Sequence, residues 1–358
     1  MKPNEICELA GRLMRHPAVP YHEHDVRDEV ECICLEHGLR FKRDDFGNLL
    51  VSLRTATVRP LVLAAHLDHP GFEIKRQLSD TCWLAQFRGG VGDSYFRPGT
   101  PLRLLPGGVA AKLGFRKGAD RIFEVRSKGR PAVSPEFAVW ELEDFTLRKG
   151  RIYGRACDDL VGVASALGTL IELKRLKARV HVIAAISRAE EVGFHGALAL
   201  GASRGLPSNS LVISLETSRE LPSVKMGQGV ILRVGDRTSV FDAEGMRFLG
   251  EVAAGTKLEG KPLLFQRGLM AGGTCEATAY QELGFQTAAV CVALGNYHNC
   301  GAGNRIRSEY VNVEDVGGMV ELLVAAAGQM SRFKELVARL PKRLDKMRCE
   351  AEAKLRRR

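Results

Sequence analysis

The sequence predicts an α/β layer fold carrying a small β-rich insertion, and three observations lead to it. Over residues 149–330, apolar strand-like runs alternate with helical periodicities, the grammar of a layered α/β protein. Between about residues 76 and 148 the texture changes to short β-rich runs among many Gly, Pro and charged residues, with no long helical pattern. At 358 residues the chain is longer than one typical domain. The expected organisation is one α/β domain from residues 1–75 and 149–330, a barrel or sandwich over 76–148, and a tail over 331–358.

The elements follow in order. Residues 5–17 and 24–38 place apolar side chains at helical spacing, the second segment stopped by Gly38. In LRFKRDDFGNLLVSL two short strands flank the turn signal Gly47-Asn48. Residues 61–65, LVLAA, form a continuous apolar run, the pattern of a strand buried on both faces, and it ends at His66. CWLAQF, PLRLL, RIFEV and FAVWEL are the strand candidates of the insertion. Residues 161–174 read as helix, 180–186 as strand, 196–203 as helix and 211–215 as strand. Further strands are expected at 230–234, 286–292 and 263–265, and a long amphipathic helix over 312–330. The closing segment KELVARLPKRLDKMRCEAEAKLRRR reads as a basic helix interrupted at Pro341.

Composition narrows the function classes. The formal net charge is +10, but the segment from Lys334 supplies +6 of it, and no nucleic-acid motif accompanies the charge. Nucleic acid is therefore not the expected partner. Nine cysteines, an odd number with no CxxC pair, argue against a disulfide framework; Cys32 and Cys34 are expected on different faces of one helix. The N-terminus lacks a signal-peptide core, and no apolar run reaches membrane-spanning length, so a soluble cytoplasmic protein is expected.

Five places put His, Asp or Glu at the end of an apolar strand or on the turn after it: His66-Leu67-Asp68, Cys157-Asp158-Asp159, Glu190-Glu191, Glu216 and His298. In open α/β sheets such turns gather around one crevice. Asp68, two residues from His66 in extended chain, faces the same side and can orient the imidazole; a plain structural His–Asp pair is the alternative. Asp158-Asp159 opens a helix, where one aspartate suffices as a cap and the second needs another reason, such as bridging two cations. The pair Glu190-Glu191 stands where a buried strand ends. One carboxylate can ligate a metal while its neighbour stays free as general base, because Zn²⁺ lowers the pKa of bound water to about 7; an exposed acidic turn is the alternative. Taken together, His66, Asp158, Glu191, Glu216 and His298 offer two imidazoles and three carboxylates, a donor set for two Zn, Co or Mn ions sharing one carboxylate.

This constellation resembles the co-catalytic dizinc exopeptidases, and within them the glutamyl-aminopeptidase, tetrahedral-aminopeptidase type. The likeness rests on DDFGNLLV, HLDHPGFEI, GRACDDLVGV, AEEVGFHGAL, the late His298 and the β insertion between the first His and Asp158-Asp159. It implies a mixed-sheet αβα sandwich of the phosphorylase/hydrolase-like kind with a barrel-like insertion that mediates dimerisation. It also implies that His66 and Glu216 serve one metal and Glu191 and His298 the other, in that pairing or its converse, and that Asp158 bridges both, with a cis bond to Asp159. Glu190 is implied as general base, Asp68 as a partner of His66, and Gly272-Gly273-Thr274 as a turn of the substrate pocket.

Several positions depart from the family pattern. His69-Pro70-Gly71 follows HLD where the family has Glu and then Ile-Gly, Glu216 replaces the usual Asp, Cys275-Glu276 follows Gly273-Thr274, and His298 sits in NYHNCG. The expected activity is a dimetal exopeptidase, an aminopeptidase acting on peptides. The alternative is an N-acyl amino acid deacylase or carboxypeptidase-like hydrolase, suggested by Glu216, for which Arg267, Arg305 and Arg307 are candidate carboxylate anchors. A homo-oligomer, at least a dimer, is expected.

Overall fold

A computed structural model of the chain describes residues 1–118 and 120–356. Helices α1 (Pro3–Met14) and α2 (His24–Glu36) precede strands β1 (Arg40–Arg43), β2 (Leu49–Arg54) and β3 (Leu61–His66). The chain then leaves for β4 (Gly71–Ser79), β5 (Cys82–Arg88), β6 (Pro101–Leu105), β7 (Val109–Arg116), β8 (Ile122–Ser127) and β9 (Phe137–Trp140). It returns through β10 (Phe145–Arg148) and β11 (Arg151–Gly154) to α3 (Cys157–Arg175), β12 (His181–Ser187), α4 (His195–Ala202) and β13 (Leu211–Arg219). Next come β14 (Val230–Gly235), α5 (Ala243–Gly255), the two-residue pair β15 (Lys257–Leu258) and β16 (Lys261–Pro262), β17 (Phe265–Leu269), α6 (Glu276–Glu282) and β18 (Gln286–Leu294). The short pair β19 (Cys300–Gly301) and β20 (Arg305–Ile306), then β21 (Glu309–Asn312) and helices α7 (Val313–Gln329), α8 (Phe333–Val337) and α9 (Arg339–Leu355), complete the described chain.

Eight strands form one mixed sheet in the order β1-β2-β12-β3-β13-β18-β14-β17. Its four central strands, β12, β3, β13 and β18, are parallel. Alternation along these strands builds two layers. Leu61, Leu63 and Ala65 of β3 join α1, α3, α5 and α7 in the larger core, whereas Val62 and Ala64 face α4 and α6 with Ala197, Leu200 and Tyr280. The result is a mixed αβα sandwich, and it explains why LVLAA is apolar at every position.

Strands β4-β5-β8-β7-β6-β9 close into an antiparallel barrel. Its interior is aromatic: Phe72, Phe87, Phe123 and Trp140 are buried, with Phe96 stacked on Phe123 at 4.7 Å and Phe72 edge-on to Trp140 at 4.9 Å. Offset and edge-on arrangements of this kind add to burial.

The structure departs from the sequence pattern in several places. The strand expected at 211–215 runs on to Arg219, because β18 continues beside it to Leu294. Helix α5 is not foreshadowed: its three glycines dilute the helical signal, yet Met246, Phe248, Leu249 and Val252 are buried along one face and Asp242 caps it by accepting from Gly245 N at 2.7 Å. The strand expected at 263–265 begins only at Phe265. Pro341 does not interrupt the tail. It lies in the first turn of α9, where a missing N–H costs nothing, and the break falls at Ala338 between α8 and α9. Arg357 and Arg358 of the expected tail lie outside the described residues. Cys34 is buried and Cys32 exposed on α2, as their spacing requires. Among the described residues no helix is long and apolar enough to cross a membrane.

Candidate metal centre

The parallel strands deliver the candidate residues to one crevice. His66 ends β3 and is level with Ser187 at the end of β12. Glu216 lies within β13 rather than at its end, two residues beyond the last pairing of that strand with β3, at Ser214 and Ala64. His298 follows β18, in a turn where Asn296, His298 and Asn299 all have left-handed backbone. Asp158 stands at the start of α3 and is joined to Asp159 by a cis peptide bond.

Both imidazoles are turned the same way. His66 Nδ1 lies 3.0 Å from the backbone carbonyl of Asp68, and His298 Nδ1 lies 2.7 Å from the carbonyl of Gly90. A carbonyl only accepts, so each Nδ1 carries a proton and each Nε2 faces the crevice, where its lone pair serves a cation once the ring is neutral. Asp158 stands between them: its Oδ1 is 3.7 Å from His66 Nε2 and its Oδ2 is 3.4 Å from His298 Nε2. Glu191 Oε1 lies 3.0 Å from His298 Nε2. Three sets of donor atoms converge closely enough to hold an ion: His66, Asp158 and Glu216; Asp158, Glu191 and His298; and His66, Glu190 and Glu191.

The charge state of this crevice asks for cations. Burial pushes Glu216 up to about 8, with Arg233 opposing and Asp158 adding to the rise. Burial likewise holds Glu190 well above the carboxylate range. For the imidazoles burial is the largest single influence and works downward, but Glu190, Asp158 and Asp68 around His66, and Glu191 and Asp158 around His298, together outweigh it and keep both well above their usual value. Asp158 is the exception: His298 and His66 overcome its burial and hold it low. Asp158 Oδ1 is buried without a hydrogen-bond partner among the described residues. Buried carboxylates of this density are stable as anions only when paired or coordinated. Nitrogen and oxygen donors of mixed type suit borderline ions such as zinc, so the residues present fit a pair of divalent ions.

The two acidic pairs divide their work. Asp159 Oδ1 accepts from Gly162 N at 3.2 Å, as a cap does, while Asp158 points into the crevice. Gly162 is required there, since a Cβ would fall 2.2 Å from Asp159 Oδ2. Asp68 serves by a different route from the expected one. Its carboxylate stays 3.7 Å from His66 Nδ1 and instead accepts the backbone N–H groups of Glu190 at 2.9 Å and Glu191 at 3.1 Å. It thereby fixes the turn that carries both glutamates.

A family model, M42 glutamyl aminopeptidase, matches residues 133–322, more than half of the chain. The chain belongs to that family. It is accordingly a metal-dependent aminopeptidase, a hydrolase of peptide bonds. Solved structures agree in fold. A Pyrococcus horikoshii TET1 peptidase is 21% identical, covering 90% of this chain and 99% of its own, with a TM-score of 0.74. An aminopeptidase from Desulfurococcus kamchatkensis is 20% identical over 94% of this chain and 97% of its own, at 0.75. A TET aminopeptidase from a marine-sediment Thaumarchaeota archaeon reaches 0.77 at 16% identity, covering 93% and 99%.

Around the candidate metal centre of this M42 chain stand further residues, of which Glu309, Glu23 and Arg233 were not singled out in the sequence. Glu309 on β21 is fully buried and accepts the N–H of Asp158 at 3.0 Å and of His298 at 2.7 Å, aligning two candidate ligands at once. His69 contacts the Asp158 carbonyl at 2.8 Å and Asn299 Oδ1 at 3.0 Å. Glu23, buried at the start of α2, accepts from Ala189 N and from Arg188, tying down the other end of the glutamate turn. Arg219, Arg233 and Arg237 line the pockets beside the crevice. Arg267 lines a cavity with α5 and α9, and Arg305 faces the barrel. Glu276 sits behind the site, bonded to Ser187 Oγ.

Proposed function

We propose that this M42 aminopeptidase removes N-terminal residues from peptides at a two-metal centre, with acidic N-terminal side chains preferred. The observation that carries the metal assignment is the placement of Asp158, whose two oxygens face two different imidazoles. In this reading His66, Asp158 and Glu216 hold one ion, and Asp158, Glu191 and His298 hold the other. Zinc is the expected metal, with cobalt or manganese as alternatives, and when bound the pair supplies an acidified water and positive charge for the developing amide oxyanion. Glu190, unligated, accepts the proton of the attacking water and passes it to the leaving amine. Asp68 and Glu309 position the residues that do this.

The acidic preference rests on a small pocket next to Glu216. Arg233 is buried there, with one bond from Nη1 to Ser218 Oγ at 3.1 Å and its Nε without a partner among the described residues. Thr217 Oγ1, also in the pocket wall, is likewise buried and unpartnered. Two buried donors without acceptors suit a carboxylate ligand. The same arginine offers a second reading, in which it anchors the α-carboxylate of an N-acyl amino acid. Neighbours of this fold include a dodecamer, and a cytoplasmic homo-oligomer with its dimer contact through the barrel is the assembly we propose.

The test is a screen of metal-reconstituted protein on peptides beginning with Glu, Leu or Lys, their N-acetylated forms, and N-acyl glutamate. Release of glutamate from free-amine peptides, lost by Arg233→Ala with cleavage of Leu peptides retained, is expected. Cleavage confined to N-acylated substrates overturns the aminopeptidase reading in favour of the second.

A further inference from the structure

A second cavity lies on the opposite side of β14 from the catalytic pocket, and its chemistry is the reverse. It has a volume of about 360 Å³ and opens between α5, β17 and the start of α9, within the range of small-molecule sites. Four guanidinium groups border it: Arg247 from α5, Arg267 from β17, and Arg339 and Arg343 from α9. One carboxylate, Glu251, faces them and is already engaged by Arg339 at 3.1 Å. Arg247 donates Nε to the carbonyl of Ala243 in its own helix at 3.2 Å. Arg267 and Arg343 have no partner among the described residues. The floor is apolar, with Leu232 and Met246 buried and Phe265 partly exposed.

We propose that this cavity binds a phosphorylated small molecule, its phosphate held by Arg267 and Arg343 and its body laid on Phe265 and Leu232. Scattered surface arginines are ordinary and solvated. These four surround a concavity with an apolar base and converge from three separate elements, and the two carboxylates that pair with them, Glu251 and Glu335, both engage Arg339. Repulsion among them is relieved by an anion with several acceptor oxygens, the ligand that planar guanidinium forks recognise best. The break at Ala338 is what brings Arg339 and Arg343 over the edge strand, so the basic tail acquires a local role instead of a diffuse one. Strand alternation keeps the two sites apart: Leu232 lines this cavity while Arg233, the next residue, lines the catalytic pocket.

The experiment is calorimetric titration of the metal-loaded full chain with adenosine 5′-monophosphate and, separately, with inorganic phosphate, at fixed ionic strength. Saturable one-to-one binding is expected, weakened at least tenfold by Arg267→Ala combined with Arg343→Ala. That variant should keep full peptidase activity, which also shows that it is folded. Tighter binding of the nucleotide assigns a ligand with an apolar body, and equal binding assigns free phosphate. Absence of saturable binding, or binding the double variant retains, overturns the proposal, since retained binding would place the anion at the metal centre. Affinity for a single-stranded oligonucleotide alone, growing with its length, overturns it in favour of a polymer bound along the tail.

Discussion

The barrel interior and the metal crevice are both buried, and they are stabilised in opposite ways. Phe72, Phe87, Phe123 and Trp140 are excluded from water because their surfaces are apolar, and each gains from the exclusion. Asp158, Asp159, Glu190 and Glu216 are equally enclosed, yet burial penalises each of them as an anion. The first region is complete as a polypeptide. The second is a preformed demand for positive charge. The two meet at Gly90, on the chain between β5 and β6, whose carbonyl orients His298.

The sharpest way to break this contrast is at Glu190. Replacing it with Gln keeps the shape and removes the proton acceptor, and general-base contributions of about 10²–10⁴-fold set the expected loss of kcat. Metal content measured on the same sample should stay at that of the unmodified protein. A variant that loses metal instead would make Glu190 a ligand, the role open to it in the set with His66 and Glu191.

Phe123→Ala tests the other region. Removing a buried aromatic ring costs about 3–5 kcal/mol, and Phe123 lies against Phe72 at 6.0 Å and Phe96 at 4.7 Å, away from the ligands. Denaturant unfolding should report that loss, while kcat of the folded fraction stays within about twofold. A large fall in kcat with unchanged stability would mean the barrel shapes the catalytic crevice more deeply than through Gly90.

The same contrast explains what could be read in the sequence. The strand-end acids were legible because a charge directly after an apolar run is locally anomalous, as in VHVIAAI followed by SRAEE. Glu309 is just as important to the geometry but invisible, since the first of three acids in SEYVNVED carries no anomaly. Its role depends on β21 pairing with β11 to bring it under Asp158 and His298. Glu23 and Arg233 were hidden for the same reason: their partners are distant in sequence and only the sheet order brings them close. Even Asp68, legible as a partner of His66, acts mainly on the amides of a turn more than a hundred residues away.

Metal removal gives the finest comparison. In the metal-free fold Glu216 holds its proton up to about 8, and Glu190, His66 and His298 also titrate above their usual values. Unfolding returns the carboxyls to about 4.3 and the imidazoles to about 6.5. Between roughly pH 5 and 8 the folded state therefore binds more protons than the unfolded one, and stability falls as pH rises through that window. Each fully retained proton contributes a slope of about 1.4 kcal/mol per pH unit. Chelator-treated protein should accordingly melt at a lower temperature at pH 7.5 than at pH 5.5. Metal-loaded protein should show the opposite trend, because cations displace those protons and bind more tightly as pH rises. The barrel, with no buried charge of this kind among the described residues, contributes to neither trend, so Phe123→Ala should lower both curves without changing their slopes. Glu216→Gln should flatten the metal-free curve and, by removing a proposed ligand, lower the metal-loaded one; parallel pH profiles with and without metal would mean the crevice carboxylates are not protonated in the empty fold, and that its acids are balanced by the protein itself.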